Sequence, residues 1–346
     1  MYRLLGLVIV ILFSVSCSPS AKQPQEFITV KGQQFELNGK PYYVVGTNFW
    51  YGPYLGMPGD LGDRPRLLKE LDELKQLGVT NLRILAASEG ATHKNALQPS
   101  FQPDTTTLNE ELFVGLDFLL DEMAKREMKA VLFLNNFWEW SGGMNIYSEW
   151  YSEGKASNPS ETGDWTTFMN HSAKFYQNKA AQKRFRAYLK TLITRRNTVN
   201  GVFYNNDPTI MSWQLANEPR PGAGEFGHQH VEAWITWIDE TAAFIKQLAP
   251  KQLVSSGNEG SKGSLESMEY FIMAHESPYI DYLTFHMWAK NWGWYRANEA
   301  EATFTTTLDS ASKYLYDHIE VAKKLNKPLV MEEFGLGRDL ESYDPK

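Results

Sequence analysis

Seven short apolar runs recur along the chain, and most of them stop on a polar or charged residue: Tyr42–Asn48, Asn81–Ala86, Lys129–Asn136, Ile210–Glu218, Leu253–Glu259, Tyr282–Trp288 and Pro328–Gly335. Amphipathic helical segments lie between several of them, at Arg64–Leu77, Leu108–Glu127, Val231–Leu248 and Thr307–Leu325. Strand and helix alternating over one long stretch predict an α/β domain, a parallel sheet wrapped by helices. Strands that end in polar groups favour a (β/α)8 TIM barrel, whose functional residues gather at the C-terminal strand ends. A doubly wound sheet is the alternative, but no glycine-rich phosphate loop follows the first strand. Ahead of these runs, FITVKGQQFELNGKPYYVVG reads as a hairpin with its turn at Asn38-Gly39.

What stands at the strand ends carries the chemistry. In IMSWQLANEPR, Met211, Trp213 and Leu215 fall on one face, while Ser212, Gln214, Ala216 and Glu218 fall on the other. Glu218 then closes a face lined with small and polar groups, and Pro219 turns the chain away. NLRIL supplies Arg83, and LFLNNFWEW supplies Asn135, Asn136, Trp138 and Trp140. YLTFHMW places His286 and Trp288 on one face, and VMEEFG brings Glu332 and Glu333. Each alone has a plain structural reading: a buried salt bridge, a core histidine, a charged strand end. Together, at one end of a barrel, they put two carboxylates across a cleft walled by aromatic rings. That arrangement suits glycoside hydrolysis, where one carboxyl gives a proton and the other attacks the anomeric carbon. Arg83 favours the ionised form of its neighbour, while burial and a nearby negative charge are expected to raise the pKa of the proton donor. Strand parity does not choose between Glu332 and Glu333.

Other chemistries lack their residues. There is no HExxH and no Cys/His cluster for a metal, and no GxSxG for a serine nucleophile, so neither metal nor cofactor is expected. A net charge of -7 offers no basic patch for nucleic acid. An aromatic content of 14% suits stacking on sugar faces, though large cores also use aromatics.

The N-terminus, MYRLLGLVIVILFSVSC, has one arginine, an apolar stretch from Leu4 to Phe13 and then small residues, as in a signal peptide over 1–16. Cys17, the single cysteine, stands where a bacterial lipobox places the residue that is acylated, with Ser14 in place of the usual leucine. Residues 17–26 then read as a lipoprotein linker and 27–346 as one catalytic domain. The expected location is extracytoplasmic, either secreted or anchored by lipid at Cys17 to a bacterial cell surface.

The set NLRI, LANEP, TFHMW and EEFG resembles the retaining glycoside hydrolases of family 5. More narrowly, LFLNNFWEWSGG, NNDPTIMSWQLANEPR and HMWAKNWGW are similar to its endo-β-1,4-mannanases, from about Phe27 to the C-terminus. The resemblance implies Glu218 as acid/base and Glu333, the glutamate before Phe-Gly, as nucleophile. It implies substrate contacts from Arg83, Asn136, Trp138, Asn217, Arg220, His286 and Trp288, with Asn217 touching the sugar 2-hydroxyl. The expected activity is hydrolysis of internal β-1,4-mannosidic bonds in mannan, galactomannan or glucomannan, by double displacement and without a cofactor. A β-1,4-glucanase and a non-catalytic carbohydrate-binding protein are the alternatives. Two departures from the family stand out. Trp288 occupies a position where many members have a tyrosine that bonds the nucleophile, and the barrel is expected to stop after its seventh strand.

Overall fold

The computed structural model describes residues 26–337. The reading of 1–16 as a signal peptide, acylation at Cys17 and the start of the linker therefore lie outside the described residues. No described helix is long and apolar enough to cross a membrane.

An antiparallel sheet opens the domain: β1 (Thr29–Lys31), β2 (Gln34–Leu37) and β3 (Lys40–Tyr42), turned at Asn38-Gly39. Five parallel strands follow in neighbouring order: β4 (Gly46–Asn48), β5 (Asn81–Leu85), β6 (Lys129–Phe133), β7 (Ile210–Gln214) and β8 (Leu253–Ser255). A parallel pair, β9 (Leu283–Trp288) and β10 (Leu329–Gly335), completes the set. Backbone bonds stitch β8 to β9, from Asp281 N–H to the Val254 carbonyl (2.9 Å) and from His286 N–H to the Glu259 carbonyl (3.1 Å). No described strand joins β10 to β4. The Asn48 side chain reaches across the top, donating to the Glu332 carbonyl at 3.0 Å.

The helices are α1 (Gly52–Gly56), α2 (Arg64–Gln76), α3 (Glu110–Lys125), α4 (Gly143–Trp150), α5 (Pro159–Thr162), α6 (Trp165–Ala173), α7 (Lys179–Ile193), α8 (Gly224–Leu248), α9 (Met268–His275) and α10 (Ala300–Leu325). Local chemistry sets their starts. The Asp63, Asn109 and Asn178 side chains accept from the first-turn amides of α2, α3 and α7. Helices α1 and α3 cross so closely that a Cβ on Gly56 would lie 2.3 Å from the Gly115 carbonyl oxygen, so only glycine fits there.

Two apolar layers result. Outward residues of the strands, among them Leu82, Ile84, Leu132 and Trp213, are buried against the helices. The opening hairpin plugs the bottom of the barrel, where Ile28 and Phe35 pack on Met211, Leu253 and Tyr282.

Several expected boundaries move. Tyr42–Asn48 splits between β3 and β4, and the strands expected to reach Asn136, Glu218 and Glu259 end at Phe133, Gln214 and Ser255. Their polar ends are loop rather than ladder. The strict alternation expected along Ile210–Glu218 also fails. The β6–β7 ladder pairs Ala130 with Ile210 and Val131 with Ser212, so a bulge turns Met211 into the barrel floor. The stretch between β6 and β7 holds α4 to α7, which sequence periodicity did not resolve.

Candidate active site

Arg83, on the inner face of β5, is the hub. Its Nε donates to Gln214 Oε1 (2.8 Å) and its Nη2 to Asn217 Oδ1 (2.8 Å). Its Nη1 donates to Asn48 Oδ1 (3.1 Å) and pairs closely with Glu333 Oε1. Asn217 in turn donates to Asn136 Oδ1 at 3.1 Å. One guanidinium thus links side chains from the β4, β5, β7 and β10 segments, a geometry that its planar fork of donors allows.

Glu218 lies four residues past the end of β7, in the left-handed region at φ +50. A glutamate rarely adopts this conformation, which costs about 1–3 kcal/mol and is typical of functional positions. It is held by its own amide, which donates to the Gly257 carbonyl at 2.9 Å. Gly257 is itself forced, because a Cβ there would sit 1.8 Å from the Ala216 carbonyl oxygen. The Glu218 carboxylate accepts from the Trp138 indole through Oε2, and its Oε1 lies 2.5 Å from His286 Nδ1.

Glu333 accepts from Arg83 through Oε1 and from the Trp288 indole N–H through Oε2, at 3.2 Å. The departure from tyrosine therefore keeps a donor on this carboxylate. One atom each of Glu218, His286 and Glu333 lie within 4.8 Å of one another. Donors from Arg83, Trp138 and Trp288 converge on the two carboxylates, which makes the trio a hydrogen-bonding centre.

The electrostatics of this centre run against the raised acid expected at Glu218. Burial pushes the Glu218 carboxyl up, but the charge of His286 and its hydrogen bond, with Arg220 and Trp138, outweigh burial and hold it low, at about 2. Burial pushes His286 down, but the charges of Glu333 and Glu218 lift it to about 10. The expected raised carboxyl is thus corrected. The short His286 contact favours the ionised form of Glu218 and the charged form of the imidazole, each against the effect of burial.

The remaining expected residues fall at the same rim. Arg220 pairs with Glu259 and lies 4.8 Å over the Trp138 ring, on which Phe168 also stacks at 6.0 Å. Trp165, half exposed, meets Trp138 edge-on at 5.9 Å, and Trp50 approaches Trp140 at 5.7 Å. Sequence reasoning did not assign Asn48, Gln214 or Glu259 to the site. Glu259 had a signal: it follows the fifth strand run as Glu218 follows the fourth. Burial raises its carboxyl to about 7, against the lowering effect of Arg220.

A family model described as GH family 5 beta-mannosidase-like matches residues 25–346. Mannan endo-1,4-beta-mannosidase 5 of Arabidopsis thaliana is 30% identical, over 92% of this chain and 71% of its own length. Among solved structures, the family 5 mannosidase from Rhizomucor miehei is 38% identical, covering 91% of this chain and 74% of that one, with a TM-score of 0.82. The endo-1,4-beta-mannanase from the same organism is 26% identical over 91% and 83%, with a TM-score of 0.69.

Proposed function

Because the chain belongs to glycoside hydrolase family 5, in its beta-mannosidase-like branch, we propose that it hydrolyses β-1,4-mannosidic bonds with retention of configuration. The observation that carries this reading is the approach of Glu218 and Glu333, one carboxylate oxygen of each lying within 4.8 Å of one of the other. Retaining glycosidases set their two carboxyls about 5–5.5 Å apart, and inverting ones about 6.5–9.5 Å apart to admit a water.

Glu333, paired with Arg83 and oriented by Trp288, attacks the anomeric carbon as the bond to the leaving oxygen breaks. That oxygen takes the proton shared by Glu218 and His286. A water then attacks the glycosyl ester from the same side, the Glu218–His286 pair recovers a proton, and Glu333 is released. Mannan as substrate is supported by the mannan endo-1,4-beta-mannosidase relatives and by a mutant of the Rhizomucor miehei mannosidase solved with mannosyl-fructose. Internal cleavage of mannan, galactomannan or glucomannan is the favoured mode. A second reading, removal of terminal mannose, is favoured by the higher identity to that mannosidase than to the endo-mannanase, 38% against 26%.

Viscosity and reducing ends, followed together on galactomannan, glucomannan and carboxymethylcellulose, test the reading. Viscosity should fall well before reducing ends accumulate, with oligosaccharide products and little action on the cellulose derivative. Release of mannose alone would establish the terminal mode. Equal or greater turnover of carboxymethylcellulose would overturn the mannan assignment in favour of a β-1,4-glucanase.

A further inference from the structure

The two carboxylates divide the cleft into two sides. On the β10 side Glu333 pairs with Arg83. There a bulge leaves Glu332 unpaired in the β9–β10 ladder, and its carboxylate lies 3.5 Å from Arg83 Nε. On the other side Glu218 accepts from the Trp138 indole. On the glycosidase reading, on which this inference rests, Glu333 takes the anomeric carbon and Glu218 serves the leaving oxygen. The leaving part of the substrate therefore lies along the wall that Trp138 begins.

That wall continues onto α6. Gly163, in the left-handed region at φ +71, ends α5 and turns the chain, and the Asp164 side chain then caps α6. Its Oδ1 accepts from the Thr167 amide at 2.9 Å and its Oδ2 from the Thr167 hydroxyl at 2.6 Å. Trp165 is the first residue of the helix so capped. One turn on, Phe168 stacks on Trp138, and the Met169 sulfur lies 3.8 Å from Arg220 Nη1. Asn170 Oδ1 accepts from the Ala223 amide at 2.8 Å. Helix α6 is thus tied both to the loop that carries Trp138 and to the segment that follows Glu218.

These contacts bury Phe168 completely, but they do not bury Trp165. The Trp165 ring meets Trp138 edge-on at 5.9 Å and Phe168 edge-on at 6.3 Å, and the residue remains 46% exposed. Exposed apolar surface continuous with the wall of a site marks a binding surface. An indole offers a large flat face of the kind that covers the apolar face of a pyranose. We propose that Trp165 is a platform for the leaving side of the substrate, seating a β-linked hexose one ring further from the scissile bond than Trp138 reaches. A short leaving group gains nothing from that platform, so Trp165 sets a preference for chains over small glycosides.

The test compares wild type, W165A and W165F on two substrates. One is mannohexaose. The other is 4-nitrophenyl β-mannoside or β-mannobioside, whichever wild type cleaves faster, whose leaving group is a single ring. The ratio of kcat/KM on the hexasaccharide to that on the aryl glycoside should fall about 5- to 30-fold in W165A, as expected for one lost aromatic contact. In W165F, which keeps a smaller ring, the ratio should fall less. Saturating indole-labelled E333A with mannohexaose should also shift the Trp165 Nε1–H resonance in NMR, identified by its absence once W165F is added. An unchanged ratio, whether from equal losses on both substrates or from none, overturns the proposal, as does a Trp165 signal that stays in place at saturation. If W165A does not fold, W165F and the NMR shift decide. A wild type that cleaves neither substrate, with no mannohexaose bound by E333A, defeats the glycosidase reading and the platform together. Turnover with an unchanged ratio defeats the platform alone.

Discussion

The two carboxylates are held by unlike halves of the molecule. Glu218 follows β7, a strand whose every residue is buried between paired neighbours, and its amide bonds to the next loop. Glu333 is part of β10, which pairs only with β9 among the described residues and is nowhere fully buried. Phe334, beside it, is 67% exposed, and Tyr43 and Val45, just ahead of β4 across the seam, are exposed as well. Between the two edges lies a cavity of about 500 Å³, lined by Phe35, Tyr42, Met211, Tyr282 and Val330 and reaching up to Arg83 and Glu332. The half around Glu218 gets its precision from close packing. The half around Glu333 gets it from a few polar tethers, of which Arg83 is the strongest.

The sharpest way to break this contrast is Arg83→Met. It removes the cation shared by Glu332 and Glu333 and leaves buried carboxylates unpaired, at a cost of about 3–5 kcal/mol in stability. Activity should fall about 1000-fold or more, since Glu333 loses both its orientation and its charge partner. Denaturant unfolding alongside kcat/KM checks both parts. A variant of normal stability with only a few-fold loss of rate would show that β10 is held by something other than this hub.

A smaller effect compares the two indoles. Trp138→Phe and Trp288→Phe each delete one hydrogen bond to a carboxylate, worth about 1.5–3 kcal/mol, or roughly 10- to 100-fold in kcat. Trp138→Phe should be the worse of the two. Its ring lies between Arg220 and Phe168, so the change also disturbs the pair with Glu259. Equal losses in single-turnover rates would mean that packing adds nothing to the placement of Glu218.

The mildest test is Asn48→Ala. It removes the bond to the Glu332 carbonyl that spans the β4–β10 seam, and also an acceptor for Arg83. About 1 kcal/mol of stability should be lost. Faster amide exchange should be confined to β4 and β10, with β5 to β8 unchanged. Exchange that rises uniformly would show the seam to be no weaker than the rest of the barrel.

Much of the fold and of the site was legible in the residues. The alternation of apolar runs with amphipathic segments predicts parallel strands and helices because each buries its apolar face in only one way. Every residue expected in the site, from Arg83 to Glu333, lies at the same end of the barrel. The segment LANEP marks a strand end because an apolar run that stops at Asn-Glu-Pro has neither the propensity to continue as a ladder nor the freedom to begin a helix. Tertiary structure alone decided three other things. Bulges at Met211 and Glu332 override parity, since a bulge is set by the neighbouring strand and leaves no mark in a single-strand pattern. The direction in which Glu218 and His286 are shifted depends on charges from separate strand ends meeting in a buried space, and sequence spacing carries no such distances. The unlike support of the two glutamates is likewise a matter of which strand edges find partners. A strand's own residues determine that it is a strand, while its burial is determined by what packs beside it.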